Sequence, residues 1–146
     1  MIWKPHATVA AIIEKDSKFL MVEEICNGAK VINQPAGHLD DNETLIDAVI
    51  RETLEETAWH FNPTNITGIY QWKSTRKNQT FLRVCFTGNC THYEQNQALD
   101  TGILQTLWMT RSEIEQANLR SPMVMKVLDD YLAGHRYPLN LLHIVT

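Results

Sequence analysis

The residues best suited to chemistry are three glutamates, Glu52, Glu55 and Glu56, in the stretch GHLDDNETLIDAVIRETLEETAW, residues 37–59. Their spacing of i, i+3 and i+4 puts them on one face of a helix. Like charges so placed repel by roughly 0.2–0.5 kcal/mol per pair on an exposed helix. A helix that gathers carboxylates against this repulsion is suited to holding a divalent cation. Magnesium (Mg2+) fits best, because it prefers oxygen ligands and is usually held by one or two carboxylates plus substrate phosphates. Manganese (Mn2+) suits the same donors. A plainer reading is a solvated charge ladder, since Asp47, Arg51 and Glu55 also fall at successive i, i+4 steps. The other side carries Ile46, Val49, Ile50, Thr53 and Leu54, an apolar arc suited to packing on a sheet.

Context favours the metal. Gly37 precedes Glu43 by six positions, and Arg51-Glu52 and Glu55-Glu56 follow at fixed offsets. The arrangement closely resembles the Nudix box: Gly, five residues, Glu, seven residues, Arg-Glu, two residues, Glu-Glu, one residue, Gly. Two places depart from it, neither a ligand position. Thr53 stands where the family usually has an aliphatic residue, and its hydroxyl is expected to bond a backbone carbonyl one turn back. Ala58 stands where the family usually has Gly. Either Ala58 takes the left-handed conformation at about 1–2 kcal/mol, or the helix runs on toward Trp59 and stops before Pro63. Both departures are expected to affect stability or a boundary and to leave the chemistry intact.

The resemblance extends beyond the box. Lys4-Pro5-His6-Ala7-Thr8-Val9-Ala10, Asn33-Gln34-Pro35-Ala36-Gly37-His38-Leu39, Gln71-Trp72, Phe81-Leu82-Arg83, Leu119-Arg120-Ser121-Pro122 and Arg136-Tyr137-Pro138 resemble the NudJ-type phosphatases of the Nudix family. The likeness covers roughly residues 3–138. It implies an α/β/α Nudix sandwich with a mixed β-sheet packed between helices. It also implies a magnesium-dependent phosphatase acting on nucleoside di- and triphosphates, and on the diphosphate of thiamine or its pyrimidine precursor. In that family Glu52, Glu55 and Glu56 hold the metal with the Gly37 carbonyl, while Arg51 and Glu43 orient the ligands. Phosphoanhydride hydrolysis itself needs an in-line water and cations that absorb charge on the phosphoryl oxygens.

Several residues outside the box are candidates for the same site. Glu55 or Glu56 could act as general base, although a carboxylate holding a metal is a poor one. Asp100, in Leu-Asp-Thr-Gly-Ile, is a candidate for base or extra ligand, or else a turn residue beside Gly102. Arg83 and Arg120 are the best cations for a distal phosphate, because a guanidinium engages phosphate bidentately. Arg76 and Lys77 are weaker alternatives in a polar loop. His38 and His6 flank the site and suit phosphate contact or structure better than magnesium. Trp72 and Trp3 could stack on a base or pyrimidine ring, or pack in the core.

The elements that position these residues follow from pattern. His6–Glu14 and Phe19–Ile25 read as a hairpin around Lys15-Asp16-Ser17-Lys18. Asn27-Gly28 is a turn leading to Val31 and Ile32. Pro35 and Gly37 break regular structure before the helix, with Asp40 and Glu43 as capping box and Asp41 or Asn42 as alternative caps. Thr67–Lys73, Thr80–Thr87 and Ile103–Thr110 read as strands. Thr110 with Glu113 caps a helix over 111–118, and Ser121-Pro122 opens a helix over 122–133 ending near Gly134.

The 146 residues suffice for one domain, expected to span residues 1–146. Hydrophobic content of 44% and charged content of 21% are those of a globular chain. The net charge of −4 is unevenly placed. Residues 37–59 hold seven acids and one base; the remainder holds ten acids and twelve bases. No basic run tracks a polymer backbone, so a small-molecule substrate is expected rather than nucleic acid. Cys26, Cys85 and Cys90 lack metal-type spacing and read as reduced thiols. No apolar run approaches a membrane span and no signal-peptide core is evident, so the expected location is the cytoplasm, with no membrane partner. Nothing in the sequence sets an oligomeric state. Two alternative functions remain: a Nudix-fold nucleotide sensor without turnover, to which Thr53 and Ala58 point, and an RNA 5′-end pyrophosphohydrolase, which the acidic stretch disfavours.

Overall fold

Strand β1 (His6–Ile12) divides the protein into its layers. The computed structural model describes residues 2–146, and along β1 successive side chains point to opposite faces. Val9 and Ala11 enter one buried cluster and Ala10 and Ile12 another. β3 (Lys18–Cys26) and β7 (Gln79–Tyr93) do the same: Leu20, Val84 and Phe86 face the first cluster, Phe19, Met21 and Cys85 the second. Helix α1 (Leu45–Thr57) closes the first cluster with Ala48 and Val49. Helices α2 (Arg111–Gln116) and α3 (Met123–Leu132) close the second with Ile114, Val124, Val127 and Leu128. Strands buried on both faces between helices make the expected α/β/α sandwich.

Among the described residues, nine strands form two sheets. The first has the order β5-β1-β7-β6-β9, with β5 at Ala36–His38, β6 at Trp59–Ser74 and β9 at Tyr137–Pro138. Its β1–β7 pair is parallel, with Thr8 opposite Arg83, and its other pairs are antiparallel. The second joins β2 (Glu14–Lys15), β3 and β4 (Ala29–Asn33), with β8 (Ile103–Met109) on β3. The first sheet is therefore mixed and the second antiparallel.

Most local expectations hold. Asn27 and Gly28 take φ of 52° and 79° at the β3–β4 turn, as a tight hairpin requires. Thr110 and Glu113 form a reciprocal capping box on α2. The Ser121 hydroxyl accepts the Met123 N–H at the start of α3 (3.2 Å), and Gly134 ends that segment at φ 93°.

Four expectations need correction. His6–Glu14 and Phe19–Ile25 do not form one hairpin: β1 pairs with β5 and β7, and only Glu14 and Lys15 pair with β3 across the turn. The long helix begins later, at Leu45, with Thr44 as its cap: the Thr44 hydroxyl accepts the Asp47 N–H (3.0 Å). The Asp40 N–H does reach the Glu43 carboxylate (2.8 Å), but Glu43 is held by Arg51 instead of opening a helix. β6 and β7 are far longer than their apolar cores: the ribbon runs on through Pro63, Asn65 and Gly68, with register shifts at His60/Phe61, Pro63/Asn65 and Ile66/Gly68. Finally, the Thr53 hydroxyl is buried without any partner. Thr57 takes the Thr53 carbonyl (2.6 Å), and no hydrogen bond runs from Thr53 to the preceding turn.

Ala58 settles the choice left open at the helix end. It adopts φ 64° and ψ 12°, and its N–H bonds the Leu54 carbonyl. The left-handed cap forms without glycine.

Candidate active site

Arg51 is the hub of the acidic face. Its Nε and Nη2 donate to the two oxygens of Glu43 (3.0 and 2.7 Å), a bidentate pair. Nη1 donates to Glu52 (2.9 Å) and at 3.4 Å to Glu55. Nη2 also reaches the His38 carbonyl (3.0 Å) and lies 3.3 Å from Asp40. One guanidinium thus ties residues 38–43 to the helix and offsets part of its charge. The Arg51 hydrogen bonds hold the Glu43 carboxyl below its ordinary range, and the surrounding carboxylates hold Arg51 more firmly protonated.

Gly37 lies against the Glu52 side chain. A Cβ at this position would overlap the Glu52 carboxylate, so β5 lies directly on the acidic face of α1. The neighbouring Ala36 N–H donates to Glu56 (2.9 Å). Burial raises the Glu52 carboxyl above its ordinary value, and burial pushes Glu56 up to about 9. Buried acids of raised pKa facing a cleft mark candidate functional sites.

The three glutamates do not converge on one point. Glu52 and Glu55 group with Asp100, with carboxylate oxygens within 4.8 Å of one another. The Asp100 N–H donates to the Glu55 carbonyl (3.0 Å), and the Gln97 amide donates to the Leu54 carbonyl (2.6 Å). Those two bonds fasten the 94–102 loop to the end of α1. Glu56 is outside that group and lines a cavity together with Glu52. Glu52 is the member common to both. The donors are hard carboxylate oxygens, crowded against their own charge and balanced by a single arginine, which suits them to a divalent cation of the magnesium class.

The cavity measures about 730 Å³ and carries most of the remaining candidates. Gly37, His38, Trp72, Arg76, Lys77, Arg83 and Arg120 all line it. Arg83 is only 5% exposed, whereas Arg76, Lys77 and Arg120 are exposed. Trp72 is half-buried and stacks on Phe81, with ring centroids 5.7 Å apart and planes at 21°. His6 stacks on the other side of Phe81 (5.1 Å) and meets His38 edge-on (5.6 Å). Burial, then His6, lowers the His38 pKa. Trp3 is exposed and is not part of the lining.

Three polar residues around Arg83 escaped the sequence reading: Glu24 and Asn33, which line the cavity, and the buried Gln34. Arg83 donates to Gln34 (3.3 Å) and Asn33 (3.4 Å), and Asn33 donates to Glu24 (3.2 Å). Glu24 also receives Arg120 (3.0 Å). Their signal was present, since Asn33-Gln34 interrupts the apolar run from Val31 to Pro35 without a turn. Polar residues buried in that pattern need partners.

The fold and the Arg-Glu…Glu-Glu helix define a phosphoanhydride hydrolase of the Nudix type. The NUDIX domain family matches residues 4–128, and the chain belongs to that family. It is 41% identical over 142 residues to phosphatase NudJ of Escherichia coli strain K12, covering 97% of this chain and 92% of that one. A NUDIX hydrolase from Nitrosomonas europaea shares 46% identity, with a TM-score of 0.95 over 97% of this chain and 98% of that one. The NUDIX domain of Shewanella oneidensis NrtR, solved with ADP-ribose, shares the fold at a TM-score of 0.71 and 18% identity, over 90% of each chain. The protein is a hydrolase acting on phosphorus-containing anhydrides, and Nudix hydrolases generally use divalent metal ions. No helix among the described residues is long and apolar enough to cross a membrane.

Proposed function

We propose that this chain, acting as one Nudix domain in the cytoplasm, is a magnesium-dependent phosphatase of nucleoside di- and triphosphates that also accepts thiamine-type diphosphates. One observation carries the reading: a cluster of hard carboxylates adjoins a cavity that holds a buried guanidinium to which no carboxylate is bonded. Glu52, Glu55 and Glu56, with the Gly37 carbonyl, would hold Mg2+ or Mn2+, and Asp100 would join them as an extra ligand. When bound, such cations draw charge from phosphoryl oxygens and acidify water.

The chain's own groups do the rest. Arg51 and Glu43 keep the glutamates oriented. Arg83 and Arg120 bind the distal phosphate, with Arg76 and His38 nearer the mouth. Trp72 offers a stacking surface for a planar ring. Glu55 and Asp100 are the carboxylates most open to solvent in the cluster: the Glu55 side chain is 39% exposed against 13% for Glu52. Either can take the proton of the attacking water.

Release of orthophosphate and pyrophosphate from nucleoside di- and triphosphates, thiamine diphosphate, ADP-ribose and a 5′-triphosphate RNA tests the reading. Orthophosphate from several di- and triphosphates, lost on chelation and restored by magnesium, is the expected result. A folded protein that binds nucleotides tightly and releases no product would overturn it in favour of a sensor.

A further inference from the structure

We infer that Gln34 is a positioning residue, which aims the Arg83 guanidinium at the phosphate end of the cavity. The inference rests on the reading of Arg83 as a phosphate-binding residue. Gln34 is 1% exposed and directly follows β4. Its Nε2 donates to the Val124 carbonyl in the first turn of α3 (2.9 Å), and its Oε1 accepts from Arg83 Nη1 (3.3 Å). Because a carbonyl accepts only, the amide has one workable orientation, with its oxygen toward the arginine. Helix, amide and guanidinium therefore form one chain.

The neutral buttress matters electrostatically. Arg83 remains charged even when buried, although burial, and then the nearby Arg120, disfavour that charge. A glutamate at position 34 would cancel the charge; an amide holds the guanidinium and leaves its field intact. The contacts of Arg83 with Gln34 and Asn33 are long, at 3.3 and 3.4 Å, and its Nε has no partner. The arginine is tethered but not saturated, so donors remain for an anion. The only carboxylate in the chain of bonds, Glu24, stands one residue further along, behind Asn33, and is occupied by Arg120.

The test is a double-mutant cycle read by binding of methylenediphosphonate to the magnesium-loaded full chain. Arg83→Met is expected to weaken binding roughly 10–100-fold, the scale of one charged hydrogen bond. Gln34→Met, nearly isosteric but unable to bond either partner, is expected to weaken it at least about 5-fold, and to add nothing in the Arg83→Met background. Gln34→Asn, one methylene too short to span both partners, should behave as Gln34→Met and covers the case in which the Met variant does not fold. A lowered melting temperature with unchanged diphosphonate affinity would mean that Gln34 is only structural. So would additive losses in the double variant. Undiminished binding in Arg83→Met would instead remove the phosphate role of Arg83 itself, a separate failure.

Discussion

The main-chain N–H of Asp100 donates to the carbonyl of Glu55 across 3.0 Å, so a loop residue 45 positions away is registered against the helix that carries the box. The side chain of Asp100 thereby joins those of Glu52 and Glu55. Because the backbone bond survives a side-chain change, Asp100→Ala is expected to keep the loop in place. The metal concentration for half-maximal activity should rise roughly 10–100-fold, the usual scale for losing a group that supports a metal site. A magnesium titration of activity checks this, and an unchanged midpoint would remove Asp100 from the site.

Glu56 gives a pH prediction for the metal-free protein. Its folded-state pKa of about 9 lies above the ordinary 4.5. Between those values the folded state keeps a proton that the unfolded chain releases, so stability falls as pH rises through the window. Glu56→Gln retains an acceptor for the Ala36 N–H and removes the ionisation. The variant should match the parent near pH 4, then exceed it by a margin that grows toward pH 9, on the order of a few kcal/mol. Its turnover should fall at least about 100-fold if the carboxylate holds metal. Denaturant unfolding at several pH values, with chelator present, reads the first effect.

Thr53 should be improvable without cost. Its hydroxyl is fully buried and unpartnered, a loss of about 1–3 kcal/mol relative to a satisfied or absent polar group. Thr53→Val keeps the shape and deletes the hydroxyl. The expected gain is about 1 kcal/mol, or roughly 2–4 °C in melting temperature, with kinetics unchanged. A lower melting temperature would mean that the hydroxyl has a partner after all.

Ala58→Gly separates conformation from chemistry. The left-handed cap strains an alanine by about 1–2 kcal/mol, and glycine returns part of that as chain entropy. A net stabilisation of about 0.5–1 kcal/mol with unaltered turnover is expected. Sharply higher turnover at an unchanged melting temperature would show that this departure affects catalysis.

The sequence by itself determined the acidic helix face and the periodic elements. The Arg51, Glu52, Glu55 and Glu56 spacing is local, and a helix converts local spacing into a shared face with no help from the rest of the chain. The Thr110–Glu113 and Ser121 caps and the Asn27-Gly28 turn were legible for the same reason: each is a contact between near neighbours. The start of α1 was less so, because Asp40 and Thr44 both have capping chemistry and only the long-range claim of Arg51 on Glu43 separates them.

The tertiary structure decided how the acids divide. Glu56 is buried because β5 crosses α1 at Gly37 and donates Ala36 to it, while Glu55 meets Asp100 because a distant loop is fastened there. It also decided the surroundings of Arg83, Asn33 and Gln34. They meet because β1 pairs with β7 on one side and with β5 on the other, which brings Arg83 near the segment that enters β5, and the Gln34 amide then reaches Val124 on α3. Contacts 49 and 90 residues apart depend on strand register and layer packing, which no local pattern encodes.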